Sequence, residues 1–280
     1  MGDDVAAATM RSPSASPGRY SFRTALRRLA EAQKPAARGA PAYSVYVNRR
    51  LGRVLAAVSY VARLSPNGVT AISALFTFSA IAAVALLPPS LPLAIAVVLG
   101  LVLGYAFDSA DGQLARLTGT GGPAGEWLDH VVDCAKTSSL HLAVLISMYR
   151  FFDLPSTALL LIPLLYAIVA ALNFFAVILN DQLKAVYSGS RHSVYSSGGG
   201  TLKRSLLVLP TDYGFLCLAF LLLAVPSVFL VVYSLFFLAN LLHTALALPK
   251  WFRDMKAIAP RAAGAPAASG TTPGMGEQPS

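Results

Sequence analysis

Asp108, Asp111, Asp129 and Asp133 crowd into one stretch of a chain that has only 13 acidic residues among 280. Arg116 is the only Lys or Arg between the first and the last of them, and long apolar runs flank the stretch on both sides. Carboxylates at membrane depth are expensive unless paired or metal-bound, so acids in such a setting mark a functional site. Four carboxylates brought to one point cannot all stay ionised without a counter-charge. Interhelical salt bridging is short of cations, because only Arg116 and Lys136 lie near enough in sequence. Oxygen-only ligands favour Mg²⁺, Mn²⁺ or Ca²⁺ over zinc, and two divalent ions would neutralise the four charges.

Two helices can bring these residues together. With 91–117 and 123–150 helical, Asp108, Asp111, Gly112 and Ala115 share one face of the first helix at 3.6 residues per turn. Asp129 and Asp133, at i and i+4, share a face of the second. The run from Gly119 to Pro123 reads as a tight turn, so the two helices are antiparallel neighbours. Gly112, Ala115 and Gly125 remove side-chain bulk where they meet, which leaves room for a flat or extended ligand. Arg116 sits one turn past Gly112, within reach of a phosphate or a carboxylate. Lys136, one turn after Asp133, can meet an anionic acceptor. His130, His141 and Cys134 read as packing residues, and Asp212 as the N-cap of a helix.

The rest of the chain reads as the frame for that pair. It is 55% hydrophobic and 12% charged, against about 25% charged in a soluble domain. The expected fold class is all-α, a polytopic membrane bundle of about six transmembrane helices. The spans are placed at about 67–87, 91–117, 123–150, 156–180, 211–225 and 227–249, after an amphipathic juxtamembrane helix over about 43–64. Residues 21–33 form a possible interfacial helix. The domain therefore runs 43–250, between tails at 1–42 and 251–280 that are disordered for the most part. The first apolar run of useful length starts near Val69, so no cleavable signal peptide is expected. The two cysteines imply no disulfide framework.

Net charge is +9, which in such a chain reflects cytoplasmic loops and anionic lipid headgroups rather than nucleic acid. Lys and Arg gather before residue 65, over 181–210 and after 250, so both termini and the aspartate turn are expected in the cytoplasm. An ion-transporting protein is a different class of reading. It expects acids near the bilayer midplane and broken helices in both halves.

The spacing D-x2-D-G-x2-A-R-x8-G-x3-D-x3-D is carried by Asp108, Asp111, Gly112, Ala115, Arg116, Gly125, Asp129 and Asp133. It resembles the motif of the CDP-alcohol phosphotransferases at all eight defining positions. Pro66-Asn67-Gly68-Val69-Thr70 is similar to that family's opening of its first span, and the likeness covers roughly 43–250. The resemblance implies an integral membrane enzyme, usually a homodimer, in a plasma or inner membrane. Such enzymes cleave the diphosphate of a CDP-alcohol, release CMP and join the phospho-alcohol to an acceptor hydroxyl. It implies that Asp108, Asp111 and Asp129 hold Mg²⁺ or Mn²⁺, with Asp133 contributing to a second ion and acting as general base. Gly112 and Ala115 would pack on the cytidine beside Asn67 and Thr70. Gly125 would leave space there, and Arg116 would hold the nucleotide or brace the carboxylates. CDP-diacylglycerol is the expected donor, in phospholipid biosynthesis, with the acceptor alcohol left open. A soluble CDP-polyol donor is the alternative.

Overall fold

The computed structural model describes residues 21–33, 41–188 and 211–258. Among them there is no strand, and five helices are long and apolar enough to cross a membrane. The all-α membrane architecture expected from sequence is borne out. Helix α1 spans Phe22–Glu31, and α2 spans Arg49–Val61 after a π-helical turn at Ser44–Asn48. The long helices follow as α3 (Pro66–Leu86), α4 (Leu91–Thr118), α5 (Pro123–Phe151) and α6 (Leu161–Ser188). Helix α7 (Tyr213–Ala219) runs into a 3-10 segment at Phe220–Ala224, and α8 covers Pro226–Lys256. Of the tails expected to be disordered, residues 1–20, 34–40 and 259–280 lie outside the described residues.

Local chemistry sets the helix ends. The Ser65 hydroxyl accepts from the Gly68 N–H at 3.1 Å, with Pro66 in the first turn of α3. Ser90 caps α4 in the same way, accepting from Leu93 N–H at 3.4 Å. Pro is tolerated in a first turn because its missing N–H would have no intrahelical partner there. Gly119 closes α4 at φ +67°, a left-handed conformation that costs glycine little. Pro123 then opens α5, so α4 and α5 reverse direction within a four-residue link as the sequence implies.

Helices α3 and α4 pack so closely that two glycines of α4 have no room for a side chain. A Cβ at Gly100 would lie 2.9 Å from Ala80 Cβ, and one at Gly104 would overlap Thr77 Oγ1. The Ser73 hydroxyl donates to the Gly104 carbonyl at 2.8 Å across this contact. Small residues at such a crossing let backbones approach where lipid supplies no hydrophobic drive. Around it Val84, Val97, Leu101, Leu140, Val144 and Met148 form a core with Phe220, Leu223 and Phe229. Leu75, Leu99, Ile168, Leu235 and Leu246 are exposed on the outer faces, the composition of a lipid-facing surface.

The stretch expected to span at 211–225 is shorter than its neighbours. Seven α-helical and five 3-10 residues rise only about 20 Å, against a hydrocarbon core of about 30 Å. It starts well inside the bundle, where Tyr213 meets the Tyr105 ring edge-on at 5.1 Å. Asp212 is its N-cap, as expected. That carboxylate accepts from Gly214 N–H at 3.0 Å and from Tyr43 N–H at 2.8 Å, which ties the juxtamembrane segment to the bundle. The last helix continues to Lys256, past the boundary placed at 250.

Candidate metal and substrate site

Asp108 stands on α4, and Asp129 and Asp133 stand on α5. One carboxylate oxygen from each lies within 4.8 Å of the other two. This is the convergence that the helical spacing implied for three of the four aspartates. Asp111 faces α3 instead, where its Oδ2 accepts from the Thr70 hydroxyl at 2.6 Å and its side chain is buried. It therefore stands beside the three-carboxylate group rather than within it.

Lys136 supplies a counter-charge that the sequence reading undervalued. Its ammonium donates to Asp108 Oδ1 at 2.6 Å, Asp133 Oδ1 at 3.1 Å and Ser73 Oγ at 3.0 Å. The side chain is 8% exposed. Salt bridging between helices, dismissed for want of cations, thus exists at this one residue. The available signal was spacing, because i and i+3 on α5 put Lys136 on the same face as Asp133. Ser73 carried none, because its role depends on how α3 is rotated against α4.

The residues expected around a nucleotide cluster at the same ends of α3, α4 and α5. A Cβ on Gly125 would touch Asn67 Oδ1 at 3.4 Å, so α5 passes α3 with nothing between them. Thr70 lies one turn along from Asn67 and holds Asp111. The Arg116 guanidinium folds back toward Gly112, where a Cβ would stand 3.6 Å from Nη1. A side chain at Gly112 would therefore fill the space between Arg116 and the carboxylates. Ala115 lies below the Gly119–Gly122 turn, 3.9 Å from where a Cβ on Gly121 would be.

A cavity of about 310 Å³ opens on the other side of the carboxylates, above the start of the short α7. Asp108, Asp133 and Lys136 form one wall, with Thr137, Asn173 and Tyr213 among the others. Asn173 Oδ1 is buried and has no hydrogen-bond partner among the described residues. The floor carries a buried polar cluster. His141 Nδ1 lies 2.7 Å from the Tyr233 hydroxyl, its ring stacks on Tyr166 at 3.8 Å, and Asn240 donates to the Tyr166 hydroxyl at 2.8 Å. His141 therefore packs, as expected, yet it also borders the cavity. Cys134 does not pack: it is exposed on α5. His130 is also at the surface, with Nδ1 3.7 Å from Asp129 Oδ2.

The donor set fits a hard divalent cation. It consists of oxygen atoms only, carries three formal negative charges against one ammonium, and is preassembled on two rigid helices. The sequence profile of the CDP-alcohol phosphatidyltransferase family matches residues 63–248, and the chain belongs to that family. Its members depend on a divalent metal and move a phospho-alcohol from a CDP-alcohol to an acceptor alcohol. No curated protein matches the chain.

Proposed function

We propose that this CDP-alcohol phosphatidyltransferase moves the phosphatidyl group of CDP-diacylglycerol to a small hydroxyl-bearing acceptor, releasing CMP, in phospholipid synthesis. The observation that carries the reading is the placement of Asp133. Its carboxylate, like that of Asp108, belongs both to the three-carboxylate group and to the wall of the 310 Å³ cavity. An acceptor in the cavity and a diphosphate at the carboxylates would meet at that residue.

Asp108, Asp129 and Asp133 would hold Mg²⁺ or Mn²⁺, with Asp111 as a further ligand of a two-ion centre. When bound, these ions neutralise the diphosphate charge and make CMP a better leaving group. The chain's own groups do the rest. Gly112, Ala115 and Gly125 leave a slot for the cytidine, lined by Asn67 and Thr70, with Arg116 at its edge. Asp133 accepts the proton of the acceptor hydroxyl as that oxygen attacks phosphorus. The new P–O bond forms while the bond to the bridging diphosphate oxygen breaks, and CMP carries off the electron pair. Lys136 holds Asp108 and Asp133 in register, which keeps the base aimed into the cavity.

The acceptor side suits a neutral polyol better than a phosphorylated one. Among the described residues lining the cavity, Lys136 is the one Lys or Arg, and both of its carboxylate contacts are made. Thr137 and Asn173 Oδ1, which has no partner among the described residues, offer hydrogen bonds to hydroxyl groups instead. The lipid donor is supported by the apolar outer faces of the helices, which let acyl chains stay in the bilayer while the diphosphate reaches the site. The reading places the site and both termini in the cytoplasm, following the Lys and Arg bias, so CMP leaves into water. It also takes the enzyme as a homodimer in the plasma or inner membrane, on the family resemblance alone. Purified protein in lipid discs, supplied with CDP-diacylglycerol, Mg²⁺ and a panel of alcohols, tests it by product mass. A phosphatidyl-polyol is the expected product. Turnover of a soluble CDP-polyol, with CDP-diacylglycerol inert, would overturn the donor assignment.

A further inference from the structure

The deep end of the 310 Å³ cavity carries polar groups that the reaction at Asp133 does not use. His141 lines the cavity together with Asp133, and both stand on α5. They are eight residues apart, a rise of about 12 Å along the helix. The cavity therefore reaches about two turns further into the bundle than the carboxylates do.

The His141 ring is held in one orientation. It is buried, its Nδ1 lies 2.7 Å from the Tyr233 hydroxyl of α8, and its face stacks on Tyr166 of α6 with ring centroids 3.8 Å apart. Tyr233 is fully buried and lies outside the cavity lining. The pair engages one ring nitrogen and leaves Nε2 without a hydrogen bond among the described residues. In a neutral imidazole one nitrogen donates and the other accepts. A hydroxyl group suits Nε2 with either tautomer, because it does both.

Asn173 offers a second such group. It stands on α6 seven residues past Tyr166, and α6 returns alongside α5 after the turn that follows Phe151. Asn173 therefore lies about 10 Å back from the level of His141 toward that of Asp133. Its Oδ1 is buried with no partner among the described residues, which is costly unless a ligand donates to it. The rings of Tyr105, Tyr166 and Tyr213 form walls along the same space. Apolar walls with a few fixed polar groups orient a ligand as well as hold it.

We propose that His141 is a specificity-determining residue whose Nε2 binds a hydroxyl at the far end of the acceptor, while Asn173 takes a second hydroxyl nearer Asp133. This rests on the reading of the cavity as the acceptor site. A hydrogen bond at each end of the 12 Å leaves roughly 6 Å between the reacting oxygen and the far one. Opposite hydroxyls of a six-carbon ring polyol span that gap. Glycerol falls short of it, and a two-carbon amino alcohol falls shorter still.

The test is saturation-transfer NMR titration of the full-length protein in detergent with Mg²⁺ and without a CDP-alcohol, which reads acceptor binding apart from turnover. The probes are myo-inositol and glycerol. The wild type is expected to bind inositol about 3–10-fold more tightly, the worth of one further hydrogen bond. His141→Phe/Tyr233→Phe removes both partners of the buried pair, so neither is left unsatisfied. It is expected to bring inositol to the affinity of glycerol and to leave glycerol unchanged. Tyr233→Phe alone keeps Nε2 and is expected to keep the preference. His141→Asn, whose amide can still meet Tyr233, is expected to lose it and covers the case in which the double variant does not fold. A preference that survives in the double variant or in His141→Asn would overturn the proposal. Equal loss in Tyr233→Phe would do so too, because it reduces the effect to packing. A wild type that binds neither polyol would overturn both the proposal and the acceptor reading. The expected binding pattern without transfer from CDP-diacylglycerol would support the role of His141 and overturn the donor assignment alone.

Discussion

Lys136 sets how Asp108 and Asp133 stand toward each other. Its ammonium is within hydrogen-bond distance of both, so neither carboxylate faces the other uncompensated. Replacing it with methionine removes the counter-charge and keeps most of the bulk. Breaking one side of a buried ionic group costs about 3–5 kcal/mol, so Lys136→Met is expected to unfold well below the wild type without metal. Mg²⁺ is expected to recover more stability in this variant than in the wild type, because it supplies the missing charge. Thermal unfolding with EDTA and with Mg²⁺ checks both parts; equal Mg²⁺ gains would remove Lys136 from the charge balance of the site. Asp133→Asn is the companion at the residue proposed as general base. General-base catalysis contributes about 10²–10⁴-fold, so CMP release is expected to fall by at least the lower figure while the protein still folds. The aspartates were legible in the sequence because spacing on a helix determines which residues share a face. The partners of Lys136 and Asp111 were not, because Ser73 and Thr70 lie on a third helix whose rotation no local pattern encodes.

At the level of elements, the site depends on how tightly α3 packs against α4. Gly104 carries the closest approach, and Ser73 bonds its carbonyl beside Lys136. Gly104→Ala pushes a methyl group into Thr77 and is expected to cost roughly 1–3 kcal/mol, the usual range for overpacking. Because Ser73 and Asp108 would shift with it, activity is expected to drop as well. Gly119→Ala, strained only by its positive φ, is expected to cost about 1 kcal/mol and to leave turnover per folded molecule unchanged. Urea or thermal titration with parallel CMP assays separates the two. The long helices were readable from apolar length, and their ends from Ser65-Pro66, Ser90 and Gly119. The brevity of α7 was readable in the short stretch at 211–225, but its continuation as a 3-10 segment was not, because Leu, Phe and Ala are equally at home in α and 3-10 turns. That brevity matters, since the cavity beside Asp133 lies above its first turn.

For the molecule as a whole, the family match stops at residue 63 on one side and 248 on the other. Helices α1 and α2 both lie before it, yet Leu29 and Ala57 pack into the same cluster as Leu114 of α4. The amphipathic pattern of α1 suggested a membrane interface, whereas Ala25 and Leu29 pack on the protein itself, because a membrane interface and a protein groove ask for the same residues. In the proposed reaction the bundle supports two chemistries that must meet, a diphosphate held through metal ions on the carboxylates and an alcohol held by neutral polar groups. The most direct measurement is CMP release from CDP-diacylglycerol by the purified protein in lipid discs, assayed with EDTA, with Mg²⁺ or Mn²⁺ restored, and with Asp108→Asn or Asp129→Asn. The account expects no CMP with EDTA, release on adding either ion only when an acceptor alcohol is present, and loss in both variants. Metal-independent release, or full activity in either variant, would contradict it.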